Sequence, residues 1–184
     1  MDGSSNIKFL LRRISKNDEQ AFTEFFDLYY KTVFRFATYF INDEELIQEI
    51  VSDVFFGIWQ SRKKLPGVKN IKAYLYTSTR NKAFYYLKKN HQQATVEIED
   101  IPVTLSMDKQ TPENITLNKE LQQRIQKSVD TLPEKCRLIF LMAREEGLKY
   151  REIARILSIS EKTVNAQIVI AIKKLGKVIQ DYLS

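Results

Sequence analysis

The residue types that carry covalent chemistry are almost missing from this sequence. It holds one histidine, His91, and one cysteine, Cys136, 45 positions apart. That is little basis for a nucleophile and its base. The same scarcity leaves no Cys/His ligand set for a structural zinc. The five glycines are scattered and form no GxxxxGK[ST] phosphate loop. Its carboxylates follow helix surfaces and caps rather than an acid–base or metal-ligand pattern. We therefore expect a protein that is not an enzyme, with no catalytic residue, no metal and no cofactor. A lone cysteine also excludes an internal disulfide framework and fits a reducing compartment.

The chemistry the sequence does offer is recognition of polyanions. Residues 62–90 carry nine Lys/Arg and no acid, whereas residues 1–61 carry six bases against ten acids. Residues 91–120 are acidic again, two bases against six acids, and residues 121–184 return to twelve against seven. A basic stretch attracts phosphates and releases counterions on binding them. Solubility is the simpler use of surface charge, but a nine-to-none block is unusual for a merely solvated face.

A second recognition element lies near the C-terminus. Tyr150 to Leu157 has the spacing of a short helix with Ile153, Ala154 and Leu157 inward, and Ala154 is small enough for a crossing helix to approach. Ser158 to Ser160 makes a tight break. Ser160 can cap a helix from Glu161 to about Tyr182, with Thr163 three positions later. On that helix Val164, Ile168, Ala171 and Leu175 share the expected buried face. Lys162, Ala166, Val169 and Lys173 point the other way, and Asn165 and Gln167 flank the stripe. A helix held across a shorter one in this manner can enter the major groove. Amides there can read adenine edges, and lysines can reach phosphates or guanine. An ordinary helical hairpin without a ligand has the same spacing.

These residues need positioning elements, and the pattern predicts helices throughout. With 43% hydrophobic and 28% charged residues, the 184-residue chain suits one medium folded domain or two small ones. A first helix is expected from Asn6 to Ser15. A second, capped by Asn17 and Asp18, carries Phe22, Phe25, Phe26, Tyr29, Val33 and Phe36 on one face. A third, capped by Asn42 and Asp43, continues through Ile50, Val54, Ile58 and Trp59. Ser61 to Asn70 reads as a loop because it contains Pro66 and Gly67. Ile71 to Lys89 is again helical, with Leu75, Ser78, Lys82 and Tyr86 along one strip. Residues 93–112 read as a flexible linker, after which Pro112 and Glu113 can open a helix through Leu117, Leu121, Ile125 and Val129. The next helix turns Cys136, Ile139, Phe140 and Ala143 inward and stops at Gly147. The expectation is an all-α chain of two small helical domains, 1–92 and 113–184, the second ending in a helix-turn-helix. The N-terminus has no signal-peptide core, and no apolar run approaches the roughly 20 residues needed to cross a bilayer. A cytoplasmic location without membrane insertion follows as an expectation.

Four blocks of the chain resemble the extracytoplasmic-function group of bacterial sigma-70 factors, in particular the compact form frequent in Bacteroidetes. DEQAFTEFFDLYYKTVFRFATYFI is similar to the first part of sigma region 2, and DEELIQEIVSDVFFGIWQ to its polymerase-docking segment. NIKAYLYTSTRNKAFYYLKK is similar to the segment that melts the promoter and recognises the −10 element. LPEKCRLIFLMAREEGLKYREIARILSISEKTVNAQIVIAIKKL is similar to region 4, which reads the −35 element. The resemblance implies an alternative sigma factor that binds core RNA polymerase, through its β′ clamp helices and β flap, and directs it to promoter DNA. A controlling anti-sigma factor, which in this group can be membrane-bound, is a further implied partner. It implies polymerase contacts at Glu45, Gln48, Glu49, Asp53, Phe56 and Trp59, although Phe56 and Trp59 could equally be core. It implies −10 contacts at Lys63, Lys64, Lys69, Lys72, Arg80, Asn81 and Lys88. The Asn81 amide could face a base or cap a local backbone group. On region 4 it implies −35 contacts at Lys162, Thr163, Asn165, Ala166, Val169 and Lys173. Three positions depart from the family pattern. Tyr85 replaces a common acid, Ser158 stands where glycine is usual, and Gln167 and Ile170 replace a common His and Arg. Serine pays more than glycine for a left-handed conformation, so the turn at Ser158 should be either strained or differently shaped, and Val169 with Ile170 should leave an apolar outer edge. A transcriptional regulator with the same helix-turn-helix, or a protein-binding adaptor, is the alternative reading.

Overall fold

The structure is a computed structural model that describes residues 3–91 and 118–183. Every regular element among the described residues is helical. The elements are α1 (Gly3–Ser15), α2 (Glu19–Ala37), α3 (Glu44–Gln60), a 3-10 helix (Arg62–Gly67), α4 (Ile71–His91), α5 (Asn118–Asp130), α6 (Glu134–Arg144), α7 (Tyr150–Leu157) and α8 (Glu161–Leu183). The chain divides into two compact units, Met1–Thr95 and Val96–Ser184. The expected linker over 93–112 and the helix start at Pro112 and Leu117 lie outside the described residues.

In the first unit the helix starts are set by side-chain caps. Asp18 Oδ1 accepts from the Ala21 amide at 2.9 Å, and Asp43 Oδ1 accepts from the Leu46 amide at 3.0 Å. Each satisfies a donor that the first turn leaves open. The chain turns out of α1 through Asn17 at φ 68°, a left-handed conformation that asparagine tolerates better than most residues. Three helices, α2, α3 and α4, then pack around an aromatic core. Phe25, Phe36, Phe40 and Tyr76 are fully buried, and the Phe36 and Tyr76 rings lie 4.3 Å apart. Of the expected α2 face, Phe25, Val33 and Phe36 are enclosed, whereas Phe22, Phe26 and Tyr29 sit half-buried at its margin.

The expected loop after α3 is in part a 3-10 helix. Leu65 is buried against the unit and anchors it, and Lys64 N donates to Ser61 O at 2.9 Å. Proline supplies a helix-compatible φ at Pro66, so its presence did not exclude a short helix. On α4 the inward positions are Leu75, Tyr76, Thr79, Ala83, Tyr86 and Leu87. Ser78 and Lys82 of the expected strip are only half-buried, because that strip is the edge of α4 facing α3.

In the second unit α5, α6 and α7 all pack on α8. Cys136 and Ile139 are buried as expected, together with Leu138, Leu141 and Met142. Phe140 and Ala143 are only half-buried, so α6 turns a wider, differently centred face inward. Gly147 closes the turn after α6 at φ 62°. On α8, Val164, Ile168 and Ala171 are buried, whereas Leu175 is half-buried. The contacts of that last stretch are with α5: Lys174 Nζ donates to the Thr131 carbonyl at 2.6 Å, and the Arg124 guanidinium lies over the Tyr182 ring.

Candidate nucleic-acid interface

The outer face of α3 gathers the six residues implicated in polymerase docking. Their spacing, 45, 48, 49, 53, 56 and 59, returns to one side of a helix. Glu45, Gln48 and Glu49 are exposed, and Phe56 is 60% exposed, too open to be core. Trp59 is half-buried: its ring packs 4.9 Å from Phe22 and lies under the Arg62 guanidinium at 4.5 Å. Asp53 is also committed inside the unit. It accepts from Lys82 Nζ at 2.8 Å, and the Tyr86 hydroxyl donates to Glu49 Oε1 at 2.8 Å and to Asp53 Oδ2 at 3.3 Å. Burial, followed by these carboxylates, pushes the Tyr86 phenol well above its ordinary range, so it remains a donor. This network ties α3 to α4. Glu45, Gln48 and Phe56 are the residues of the set with no side-chain hydrogen bond or ring contact among the described residues.

Between α3 and α4 runs a groove of about 510 Å³, with Gly57 and Ser61 on one wall and Tyr74, Ser78, Asn81 and Tyr85 on the other. Asn81 lines it from an exposed position. Its Oδ1 accepts from Arg80 Nη1 at 3.1 Å, so it caps no backbone group. Lys88 lies seven residues on, on the same side of α4. Arg80 is different. Its guanidinium lies 4.4 Å over the Phe84 ring, its buried Nε has no hydrogen-bond partner, and burial lowers its pKa from the usual value. Lys72 is nine residues before Asn81, half a turn out of phase on α4, and its Nζ lies 5.8 Å over the Tyr76 ring. The −10 candidates thus form two groups. Asn81 and Lys88 border the groove side of α4, while Lys63, Lys64, Lys69 and Lys72 are exposed around the 3-10 helix and the start of α4.

The groove and a second cleft were not legible in the sequence. Tyr74 and Tyr85 line the groove, and Tyr85 is 59% exposed, an open aromatic face rather than a packing residue. Lys8 and Arg12 of α1, one turn apart, line a cleft of about 380 Å³ with Pro66, Gly67 and Lys69. Their four-residue spacing was visible, but the packing of α1 on the 3-10 helix was not.

In the second unit the helix-turn-helix is built as follows. The Lys149 amide donates to Glu152 Oε2 at 2.9 Å at the start of α7. Ser158 closes α7 at φ 57°, ψ 40°, a left-handed conformation, which is the strained of the two turns expected. The Thr163 amide donates to Ser160 Oγ at 3.0 Å to start α8. The Thr163 side chain is half-buried, and its hydroxyl shares a 2.8 Å bond with Ser160, which spends it on the cap. Lys162, Asn165, Ala166, Val169 and Lys173 are all exposed on the outer side of α8. The Gln167 carbonyl accepts from Cys136 Sγ at 3.2 Å, and its side chain is half-buried. The expected apolar pair is present, with Val169 and Ile170 both exposed; Ile172 and Ile179 are exposed as well, but Ile179 lies half a turn around α8 from Ile170.

Residues 25–93 match the family model for sigma-70 region 2, and residues 122–175 match that for sigma-70 region 4. The chain is 24% identical over 166 residues to the ECF RNA polymerase sigma-E factor of Escherichia coli (strain K12), covering 86% of each protein. To the corresponding factor of Haemophilus influenzae it is 26% identical, covering 86% of this chain and 87% of that protein. The chain belongs to the extracytoplasmic-function group of the sigma-70 family. In fold it is similar to CnrH, solved in complex with the cytosolic domain of CnrY, with a TM-score of 0.60 and 17% identity over 95% of this chain and 97% of that one. As an alternative sigma factor it directs transcription initiation. Sigma factors are DNA-binding initiation factors, and the chemistry belongs to the polymerase. The matched region 2 contains α3, α4 and most of α2, and the matched region 4 contains α6, α7 and the front of α8. No helix among the described residues is long and apolar enough to cross a membrane.

Proposed function

We propose that residues 1–92 dock the sigma factor on core RNA polymerase and open the −10 element, that residues 113–184 read the −35 element, and that residues 93–112 link the two. The outer face of α3, with Glu45, Gln48, Glu49 and Phe56, meets the β′ clamp helices, while Asp53 and Trp59 position that face. The polymerase flap is the contact for the second unit. The separated non-template strand follows the lysines at 63, 64, 69 and 88, with Asn81 and the open Tyr85 ring at the groove where an unstacked base can be received. Arg80 shapes that surface, and Lys72 extends it at the start of α4. Lys162, Asn165, Ala166, Val169 and Lys173 face the major groove of the −35 duplex, with Thr163 holding the helix start. An anti-sigma protein, anchored at a membrane, is proposed as a partner, and a cytoplasmic location follows from these partners.

The observation that carries this reading is the division of α8. Val164, Ile168 and Ala171 are buried while Lys162, Asn165, Ala166, Val169 and Lys173 are all open, which is the arrangement a recognition helix requires. Transcription from a promoter library with purified core polymerase tests it. Initiation at promoters sharing paired −10 and −35 elements is expected. Sequence-specific DNA binding without core, and no transcription with it, would make the protein a regulator instead.

A further inference from the structure

We propose that the cleft between α5 and the C-terminal half of α8 binds a compact polyphosphate, of the class of inorganic pyrophosphate or the phosphate tail of a nucleotide. The cleft is a shallow, open depression of about 520 Å³, lined by Arg124, Lys127, Lys174 and Lys177, with Asp181 as the one acid among its described lining residues. Ser128 also lines it. This serine is 7% exposed, and its hydroxyl has no hydrogen-bond partner. A serine in the last turn of a helix, as Ser128 is in α5, can return its hydroxyl to the carbonyl one turn back. Ser128 does not, which leaves a buried donor beside four cations.

Two of the cations are held in place by the protein itself. Lys174 Nζ is fixed by its 2.6 Å bond to the Thr131 carbonyl, at the end of α5. Arg124 is held over the Tyr182 ring at 5.4 Å. Lys127 and Lys177 form no ion pair among the described residues, although Asp181 lines the same cleft. Four cations against one carboxylate leave an excess of positive charge that a single phosphodiester neutralises only in part. A pyrophosphate group, with roughly three negative charges at neutral pH given a late phosphate pKa near 6, matches it. The site borders the proposed DNA-reading surface at Lys177, one turn beyond Lys173, but is centred away from Asn165. Lys174 is nine residues after Asn165, half a turn around α8. A ligand here joins α5 to α8 and stabilises the folded unit by mass action.

The test uses the full chain, low ionic strength and a chelator. Titration calorimetry with sodium pyrophosphate should give saturable one-to-one binding, and the unfolding midpoint should rise with pyrophosphate concentration. The double variant K127Q/K177Q should lose at least tenfold in affinity, and Ser128→Ala about threefold, with the circular dichroism spectrum unchanged. A parallel ATP titration separates the sources. Equal affinity means that the phosphate tail alone is read, and tighter ATP binding means that the nucleoside contributes. Absence of saturable binding overturns the proposal, as does unaltered affinity in the double variant. If non-specific duplex DNA displaces pyrophosphate and the double variant loses duplex affinity equally, the cleft is a backbone contact and the polyphosphate site is rejected. None of these outcomes depends on sigma activity, so they are distinguishable from a failure of the promoter reading.

Discussion

Ser158 carries the clearest local conflict between residue and conformation. At φ 57° its Cβ crowds the following carbonyl, a cost of about 1–2 kcal/mol for a non-glycine residue. Glycine removes that cost but adds unfolded-chain entropy. We expect Ser158→Gly to stabilise the second unit by about 0.5–1 kcal/mol after this offset, measured by urea unfolding. A destabilised variant would show that the serine side chain contributes more than the turn costs. The position was legible in the sequence because the surrounding pattern requires a left-handed residue where a serine stands. Asn165 was legible for the opposite reason, since the buried stripe on either side forces it outward. Asn165→Ala should leave stability unchanged and alter base preference by about 1–3 kcal/mol if its amide makes a bidentate base contact. Lys173→Ala should weaken many −35 sequences by similar factors. Randomised −35 transcription reads both, and an Asn165→Ala protein with intact sequence preference removes that amide as a reader.

At the scale of the element, α3 must serve two sides. Its inward residues are core, and its Glu49 and Asp53 are engaged by α4 through Tyr86 and Lys82. The sequence placed the six candidates on one helix face but could not reveal this engagement, since Asp53 and Lys82 are 29 residues apart. Helix packing decides such pairs, and periodicity within one helix does not report them. The same limit hid the groove at Tyr74 and Tyr85 and the 3-10 helix anchored by Leu65. The separation predicts different phenotypes along α3. Phe56→Ala should change unfolding by less than about 0.5 kcal/mol, as for other open surface sites, and weaken core polymerase binding by more than about 1 kcal/mol. Trp59→Ala should lower stability, because it removes packing on Phe22 and Arg62. Unaltered core affinity in folded Phe56→Ala would take that ring out of the interface. The start of α2 supplies a pH test. The Arg13 hydrogen bond, then the Ala21 amide, lowers the Asp18 pKa from its ordinary 3.8. A depressed carboxyl stabilises the fold above that ordinary value and loses its contribution as pH falls through the folded one. Asp18→Ala should therefore be less stable than the parent at pH 7, and the gap should begin to narrow below about pH 4 and close only as pH falls through the lowered folded value, a course followed by acid unfolding. A stability gap independent of pH would assign the effect to the cap geometry alone.

Over the whole molecule, the charge pattern was the most informative signal in the sequence, and its refinement came from burial. Nine bases and no acid between residues 62 and 90 predict a phosphate-binding surface. The pattern alone counts Arg80 and Lys82 with the rest. Yet Arg80 is half-buried against Phe84, and Lys82 is paired with Asp53. Lys63, Lys64, Lys69 and Lys88 are open to solvent and form no ion pair among the described residues. Phosphate contacts to a single strand should each contribute about 0.7 to the slope of log affinity against log salt. Replacing these four lysines with glutamine should therefore flatten the salt dependence of promoter opening by up to about 3 and leave thermal unfolding nearly unchanged. Arg80→Gln should do the reverse. It removes a guanidinium stacked on Phe84, so stability should fall while the salt slope changes little. Permanganate footprinting of the melted region over a salt series measures the first effect, and calorimetry measures the second. Wild-type opening and slope in the quadruple variant would exclude these lysines from the DNA path. A reduced slope in Arg80→Gln would place its guanidinium on a phosphate despite its packing.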